Sequence, residues 1–316
     1  MKAVRAAVIG VGHLGRHHAA KYARHSGAKL VGVVDVVTER RKAVAEEFGV
    51  QSFEHHEEVL GQVDCVSIAV PTPLHYPIVR DCLERGVDVL VEKPITATVD
   101  EGKALVEFAV RSHRILQVGH LERFNPAVRR LREIVDDPRF IECHRLAPFG
   151  ERGTDVDVVL DLMIHDLDVV LSMVSSSVRA VEAVGVPVLT PNVDIANARL
   201  RFANGCIANL TSSRVSSKRE RKIRVFQPNA YIAVDYDLRQ VRVCRRVEDG
   251  TNGPSLSLSD EHIEERDALE DEISSFVRTV AERGEPAVSA WDGLKALEVA
   301  RTIMECMDAE VRAVAS

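Results

Sequence analysis

The segment Gly10-Val11-Gly12-His13-Leu14-Gly15 leaves this chain few folds to choose from. An apolar run at residues 5–9 leads into it and an Ala-rich stretch follows. Asp35 closes the next β-branched run, twenty residues after Gly15. Glycine at the first position permits a tight turn, at the second lets the backbone approach a pyrophosphate, and at the third allows close helix–strand packing. A helix starting there turns free N–H groups and its positive dipole end toward phosphates. Asp35 is placed to accept hydrogen bonds from the adenosine ribose hydroxyls and to repel a 2′-phosphate, which favours NAD over NADP. Arg40 and Arg41 follow closely and could welcome that phosphate.

The rest of the first 120 residues fits a nucleotide fold. Apolar runs at 30–34, 65–70, 87–91 and 115–118 alternate with helical stretches at 39–48, 77–85 and 100–113. This alternation signals βαβ units, so residues 1–120 are expected to form a Rossmann domain, a doubly wound parallel sheet in the α/β class. After Gly119 the pattern changes. Helices are expected at 126–135 and 158–174. Strand-like runs lie at 140–146, 178–186, 195–202, 206–214, 221–227, 230–235 and 240–246, with Asn204-Gly205 as a hairpin signal. Residues 249–259 read as a loop, and helices at 263–283 and 291–309 finish the chain. That order predicts an α+β domain over 121–316 with an open, mostly antiparallel sheet.

Composition excludes several classes of function. The chain has 316 residues, 46% hydrophobic and 28% charged, with a formal net charge of −7. An acidic balance argues against nucleic acid, and no apolar stretch approaches the ~20 residues that span a bilayer. The apolar segment after Lys2 and Arg5 ends at Gly10, too short for a signal peptide. The six cysteines are scattered without a CxxC pair and read as reduced and structural, in a cytoplasmic protein. His13, His17, His18, His55 and His56 tempt a metal reading, but no carboxylate or thiolate completes a ligand set by spacing, and no metal is expected.

Two short segments carry candidate chemistry. Glu92-Lys93-Pro94 follows a predicted strand at the carboxyl end of the sheet, where ligands of open α/β folds bind. A lysine there could act as acid or base, or orient a hydroxyl. By its residues alone it is equally an exposed lysine beside a glutamate. Asp161 and His165 lie four apart on a predicted helix and would share a face. An imidazole so placed can take a proton from an alcohol, although the wet side of an amphipathic helix looks the same.

In this order the chain shows Gly10-Val-Gly12…Gly15-Arg-His-His18, Thr72-Pro73-Leu74-His75, Glu92-Lys93-Pro94, Arg123-Phe124-Asn125-Pro126 and Asp161…His165…Asp168. Together they resemble the glucose–fructose oxidoreductase / inositol dehydrogenase / rhizopine catabolism (Gfo/Idh/MocA) family. The resemblance implies an NAD-dependent enzyme that oxidises a secondary hydroxyl of a sugar or sugar nucleotide. It implies catalytic roles for Lys93, His165 and Asp161. It places His13, Leu14, Thr72, His75, Glu92 and Lys93 beside the three glycines and Asp35 at the cofactor, and Arg123 and Asn125 with Asp161 and His165 at the substrate. It also implies a homo-oligomer, dimer or tetramer, through the C-terminal sheet. Many members carry glycines near the Asp that the run Asp157-Val-Val-Leu-Asp161-Leu-Met163 lacks. With the run Ser213–Lys222, this wording is similar to a branch acting on UDP-N-acetylglucosamine to give its 3-oxo form. Within that run Arg214 and Lys218, with Arg221 behind them, are the candidate diphosphate clamp. The alternatives are a dehydrogenase of a free hexose or cyclitol and a non-catalytic NAD-binding regulator.

Overall fold

The computed structural model describes residues 3–150, 156–249 and 253–315. The chain divides into two units, Met1–Leu121 with Asp267–Leu294, and Glu122–Arg266 with Lys295–Ser316. In the first unit the elements run β1 (Val4–Ile9), α1 (His13–Arg24), β2 (Ala28–Val34), α2 (Thr38–Phe48), β3 (Gln51–Phe53), α3 (Glu57–Leu60), β4 (Cys65–Ile68), α4 (His75–Glu84), β5 (Asp88–Glu92), α5 (Val99–Ser112) and β6 (Leu116–Gly119). The six strands form one sheet in the order β3-β2-β1-β4-β5-β6, and every pair is parallel. Strands covered on both faces read as unbroken apolar runs, and β4 is buried at every position. Strand order reverses between β1 and β4, so the crevice at their carboxyl ends is the expected ligand site. Local signals fix the helix ends. Thr98 and Glu101 close a capping box at the start of α5, and Gly49 ends α2 at φ +65°.

The second unit holds α6 (Pro126–Ile134), β7 (Phe140–Leu146), a π-helical turn at Val159–Met163 and α7 (Ile164–Met173). Seven strands follow: β8 (Val178–Val186), β9 (Ile195–Phe202), β10 (Ile207–Ser213), β11 (Glu220–Gln227), β12 (Ala230–Asp235), β13 (Gln240–Asp249) and β14 (Gly253–His262). The sheet order is β14-β13-β12-β11-β7-β10-β9-β8. Its pairs are antiparallel except β7 with β10. Asn204-Gly205 turns β9 into β10 as expected, with Gly205 at φ +87°. Alternate residues Ile141, Leu200, Leu210, Ile223 and Val225 point into a core that Leu131 and Leu167 complete.

Three expectations change. Residues 249–259 are not all loop, because β14 pairs with β13 from Gly253 to His262. Its alternating leucines, Leu256 and Leu258, are 73% and 71% exposed, so the strand lacks the buried face that marks a strand in sequence. The helix expected from residue 263 starts at Ala268 as α8 (Ala268–Glu282), where Asp267 caps Leu269 and Glu270 N–H. A single domain cut after residue 120 also gives way. α8 buries Ile273, Phe276, Val277 and Val280 in the core of the first unit with Tyr22 and Leu90. The last helix, α9 (Ala290–Ala315), adds Ile303 and Met307 to the core of the second.

Candidate active site

In the first unit, β1 delivers its carboxyl end into the glycine turn. Gly10 has φ +81°, and a Cβ there would lie 2.7 Å from Ala69 O; at Gly15 it would lie 1.8 Å from Gly10 O. Both glycines are therefore demanded by the protein's own packing. Gly12 is different. A Cβ there would meet nothing within 4 Å, so its bareness leaves room for a ligand to come against the backbone. Gly12 is also the N-cap of α1 and offers no side-chain cap, which leaves first-turn N–H groups for an anion. Gly10, Gly12, His13, Leu14, Asp35 and Arg40 line one cleft of about 580 Å³, within the size range of cofactor sites. These residues fit a dinucleotide. Asp35 is buried and accepts hydrogen bonds from Val11 N at 3.0 Å and Val37 N at 2.9 Å. Arg40 Nη1 approaches it to 3.1 Å.

Thr72 opens a short 3₁₀ turn, Thr72–Leu74, that leads into α4. His75 is buried with Nδ1 2.8 Å from Pro94 O and Nε2 2.9 Å from Val70 O. Burial pushes its pKa down against the pull of these carbonyls, and the ring sits between the turn at Lys93 and the loop after β4. Glu92 ends β5, with His18 Nε2 3.0 Å from its Oε1. Burial alone would raise its pKa, but His18 and the charge of Lys93 outweigh that and hold it below the usual carboxylate range. Lys93 itself is half-buried on this fixed turn.

In the second unit Asp161 lies in the π turn and His165 in the first turn of α7; both are half-buried. The Ile164 N–H bonds back to Val159 O, an i→i−5 bond of the kind often found at functional sites. α7 is held by two buried arginine forks. Arg123 donates to Asp168 at 2.6 and 3.0 Å. Arg145 donates twice to Asp166, at 2.8 Å each, and to Glu122 at 2.8 Å. Arg123, expected at the substrate, thus serves the helix that carries His165. Asn125 likewise caps α6 through Ala127 N at 3.0 Å and donates to Glu122 at 3.3 Å.

Arg145 and Glu122 were not singled out from the sequence. A signal existed, since Arg145 continues the inward set Ile141, Cys143 of an alternating strand. The two cations named for a diphosphate clamp stand in unlike places. Arg214 is 4% exposed and donates to Val156 O at 2.6 Å and Val193 O at 3.3 Å, which fastens the chain before the π turn. Lys218 has a side chain 72% exposed, 3.5 Å from Glu220. Arg221 is half-buried, 3.7 Å from Glu122. The histidine reading also needs one correction, because folding brings carboxylates to His56: Asp81 lies 3.1 Å from Nε2 and Glu57 3.3 Å from Nδ1.

Comparison with known proteins agrees with this geometry. Residues 4–120 match an oxidoreductase family with an NAD-binding Rossmann fold, and residues 128–232 match the Gfo/Idh/MocA C-terminal domain. The UDP-N-acetylglucosamine 3-dehydrogenase of Acidithiobacillus ferrooxidans is 40% identical over 88% of this chain and 89% of its own. A solved structure of that enzyme superposes with a TM-score of 0.91 at 36% identity, covering 98% of this chain and 99% of the other. The NAD(+)-dependent scyllo-inositol 2-dehydrogenase of Bacillus subtilis is 31% identical over 67% of this chain and 68% of its own. With the cradle, the order of motifs and these likenesses in agreement, the chain belongs to the Gfo/Idh/MocA family of NAD-binding oxidoreductases.

Proposed function

We propose that the protein oxidises a secondary hydroxyl of a sugar nucleotide, UDP-N-acetylglucosamine at carbon 3, with NAD as acceptor. The observation that carries this reading is the likeness to the Acidithiobacillus enzyme, which runs through both units. In such a reaction the carbon loses a hydride and its oxygen a proton, giving a ketone, NADH and a proton. Bound NAD supplies the hydride acceptor. His165 takes the hydroxyl proton as general base. Asp161, in the turn before it, orients the imidazole or accepts from a sugar hydroxyl. Lys93 holds and polarises the reacting oxygen on a turn that His75 and His18 keep still. Lys218 is the cation of the basic run that we assign to the diphosphate, by charge-assisted hydrogen bonds.

NADH formation with UDP-N-acetylglucosamine, UDP-glucose, glucose and myo-inositol tests the assignment. Turnover of the first alone is expected. Turnover of inositol with none of the sugar nucleotides would replace it by the cyclitol reading, which the Bacillus likeness favours. Lys218→Glu should raise KM for the UDP-sugar several-fold and leave NAD affinity alone; an unchanged KM would return Lys218 to the solvated surface. We also assign the enzyme to the cytoplasm and to a homo-oligomer formed on the open sheet of the second unit. Four of its six cysteines are buried free thiols, and no described helix is long and apolar enough to cross a membrane. Sedimentation at working concentration tests the assembly, and a monomer would overturn it.

A further inference from the structure

The first unit buries a second carboxyl, Glu272, on the helix that packs on α1 and β1. The strand registers Ser67↔Leu90 and Leu90↔Gln117, with Glu92↔Gly119, set Ser67, Glu92 and Gln117 on one face of the sheet. Leu90 shares that face and joins the core with Tyr22 of α1 and Phe276 of α8. His18 and Tyr22, one turn apart on α1, both turn inward: His18 to Glu92, Tyr22 to Ser67 Oγ at 2.9 Å. A Cβ at Gly119 would lie 3.2 Å from the Glu92 carboxyl, so glycine there makes room for it. Glu272 enters from α8, which packs on α1 and β1, and is 1% exposed. Neither of its carboxyl oxygens has a hydrogen-bond partner among the described residues, and the same holds for the Gln117 amide and His18 Nδ1.

An isolated carboxylate in such a place is far costlier than a neutral acid. We propose that Glu272 and Glu92 form one acid pair holding a single negative charge, with Glu92 ionised against His18 and Lys93 and Glu272 protonated. Glu272 is then a positioning residue, and this role rests on the assignment of Lys93 made above. The two carboxyls are displaced in opposite senses, as in pairs that share one charge. Burial and the charge of Glu92 push Glu272 well above the usual range, while Glu92 lies below it. Among the described residues no cation lies within hydrogen-bond reach of the Glu272 carboxyl. α1 presents His18 and Tyr22, with Lys21 held outside by Asp267 and Glu270. β1 presents Val4, Ala6 and Val8, β4 the Cys65 thiol and Ser67, and β5 Glu92. Ionising Glu272 at high pH would put a second negative charge beside Glu92, and their repulsion would push the Glu92 carboxylate and the turn that carries Lys93 out of place.

Glu272→Gln tests this, because the amide has the shape of the protonated acid and cannot ionise. The infrared difference between wild type and E272Q at neutral pH should show the carbonyl band of a protonated acid. The alkaline limb of the kcat profile should move up by at least about one pH unit in E272Q, with NAD affinity as the folding control. Stability gives a third reading. A pKa raised by folding means stability is lost as pH climbs above the ordinary glutamate value of 4.5. E272Q should therefore gain melting temperature over wild type progressively from that pH upward. Glu272→Met, neutral and similar in volume, repeats all three arms if the amide disturbs folding. A carboxylate band at neutral pH, or superimposable alkaline limbs, would overturn the proposal. The infrared and stability arms need no substrate, so they stand apart from the Lys93 assignment, which Lys93→Ala tests by itself.

Discussion

The two units build their sites by opposite means. The first makes its cradle largely by leaving side chains out: two glycines are bare because the fold would clash with a Cβ, and Gly12, where a Cβ would meet open space, leaves room for a ligand. The second makes its site by putting charge in, and fixes α7 with Arg123 and Arg145 against Asp168, Asp166 and Glu122, all buried. A backbone cradle is local and follows from a few consecutive residues. A buried ion network is global, and each member depends on a partner far away in sequence. The first should therefore tolerate small losses of binding without losing its fold, while the second should fail as a structure.

Arg145→Met presses hardest on this contrast. It leaves Asp166 and Glu122 buried without their fork, and breaking a buried pair costs about 3–5 kcal/mol. Denaturant unfolding of Arg145→Met should show a loss of that size, and a loss below about 1 kcal/mol would mean that water or neighbours screen these acids. Next come the groups proposed to react. Lys93→Ala and His165→Ala should each lower kcat by at least ~10²-fold, the usual scale for lost acid–base catalysis, while calorimetry shows NAD binding nearly intact. Wild-type turnover in both would remove them from the mechanism. The smallest effect belongs to the cradle. Gly12→Ala places a methyl in open space, so the free protein should keep its stability within about 1 kcal/mol, the scale of a changed N-cap. NAD affinity should fall about tenfold, or about 1.4 kcal/mol. If stability fell and affinity held, Gly12 would be a packing residue like Gly15.

What could be read in the sequence follows the same division. The glycine turn, Asp35, the parallel sheet and the Glu92–Pro94 turn were legible because period, punctuation and spacing are local. The π turn at Val159–Met163 was read as ordinary helix, since the residues Val-Leu-Asp-Leu-Met suit either winding. β14 escaped because its leucines face solvent. Arg214 looked like a ligand for phosphate because a basic run shows charge but not burial, and its guanidinium turned out to bind carbonyls 21 and 58 residues away. The return of α8 to the first unit has no local sign at all, because an amphipathic helix displays a face without naming what it covers.

The π turn has a consequence for how the site can vary. It amounts to one residue more than an α-helical turn needs, inserted ahead of α7. Each α-helical residue advances the chain by about 100°, at 3.6 per turn. Deleting Leu162, which lies between Asp161 and α7, would let the segment relax into plain α-helix with α7 and its arginine forks unmoved. Everything before the deletion would then swing by about that angle, carrying Asp161 away from the direction it now faces. A frame of this sort separates the arginine forks from the acid: a single codon lost after Asp161 would rotate the carboxylate proposed to serve His165 while α7 keeps its forks.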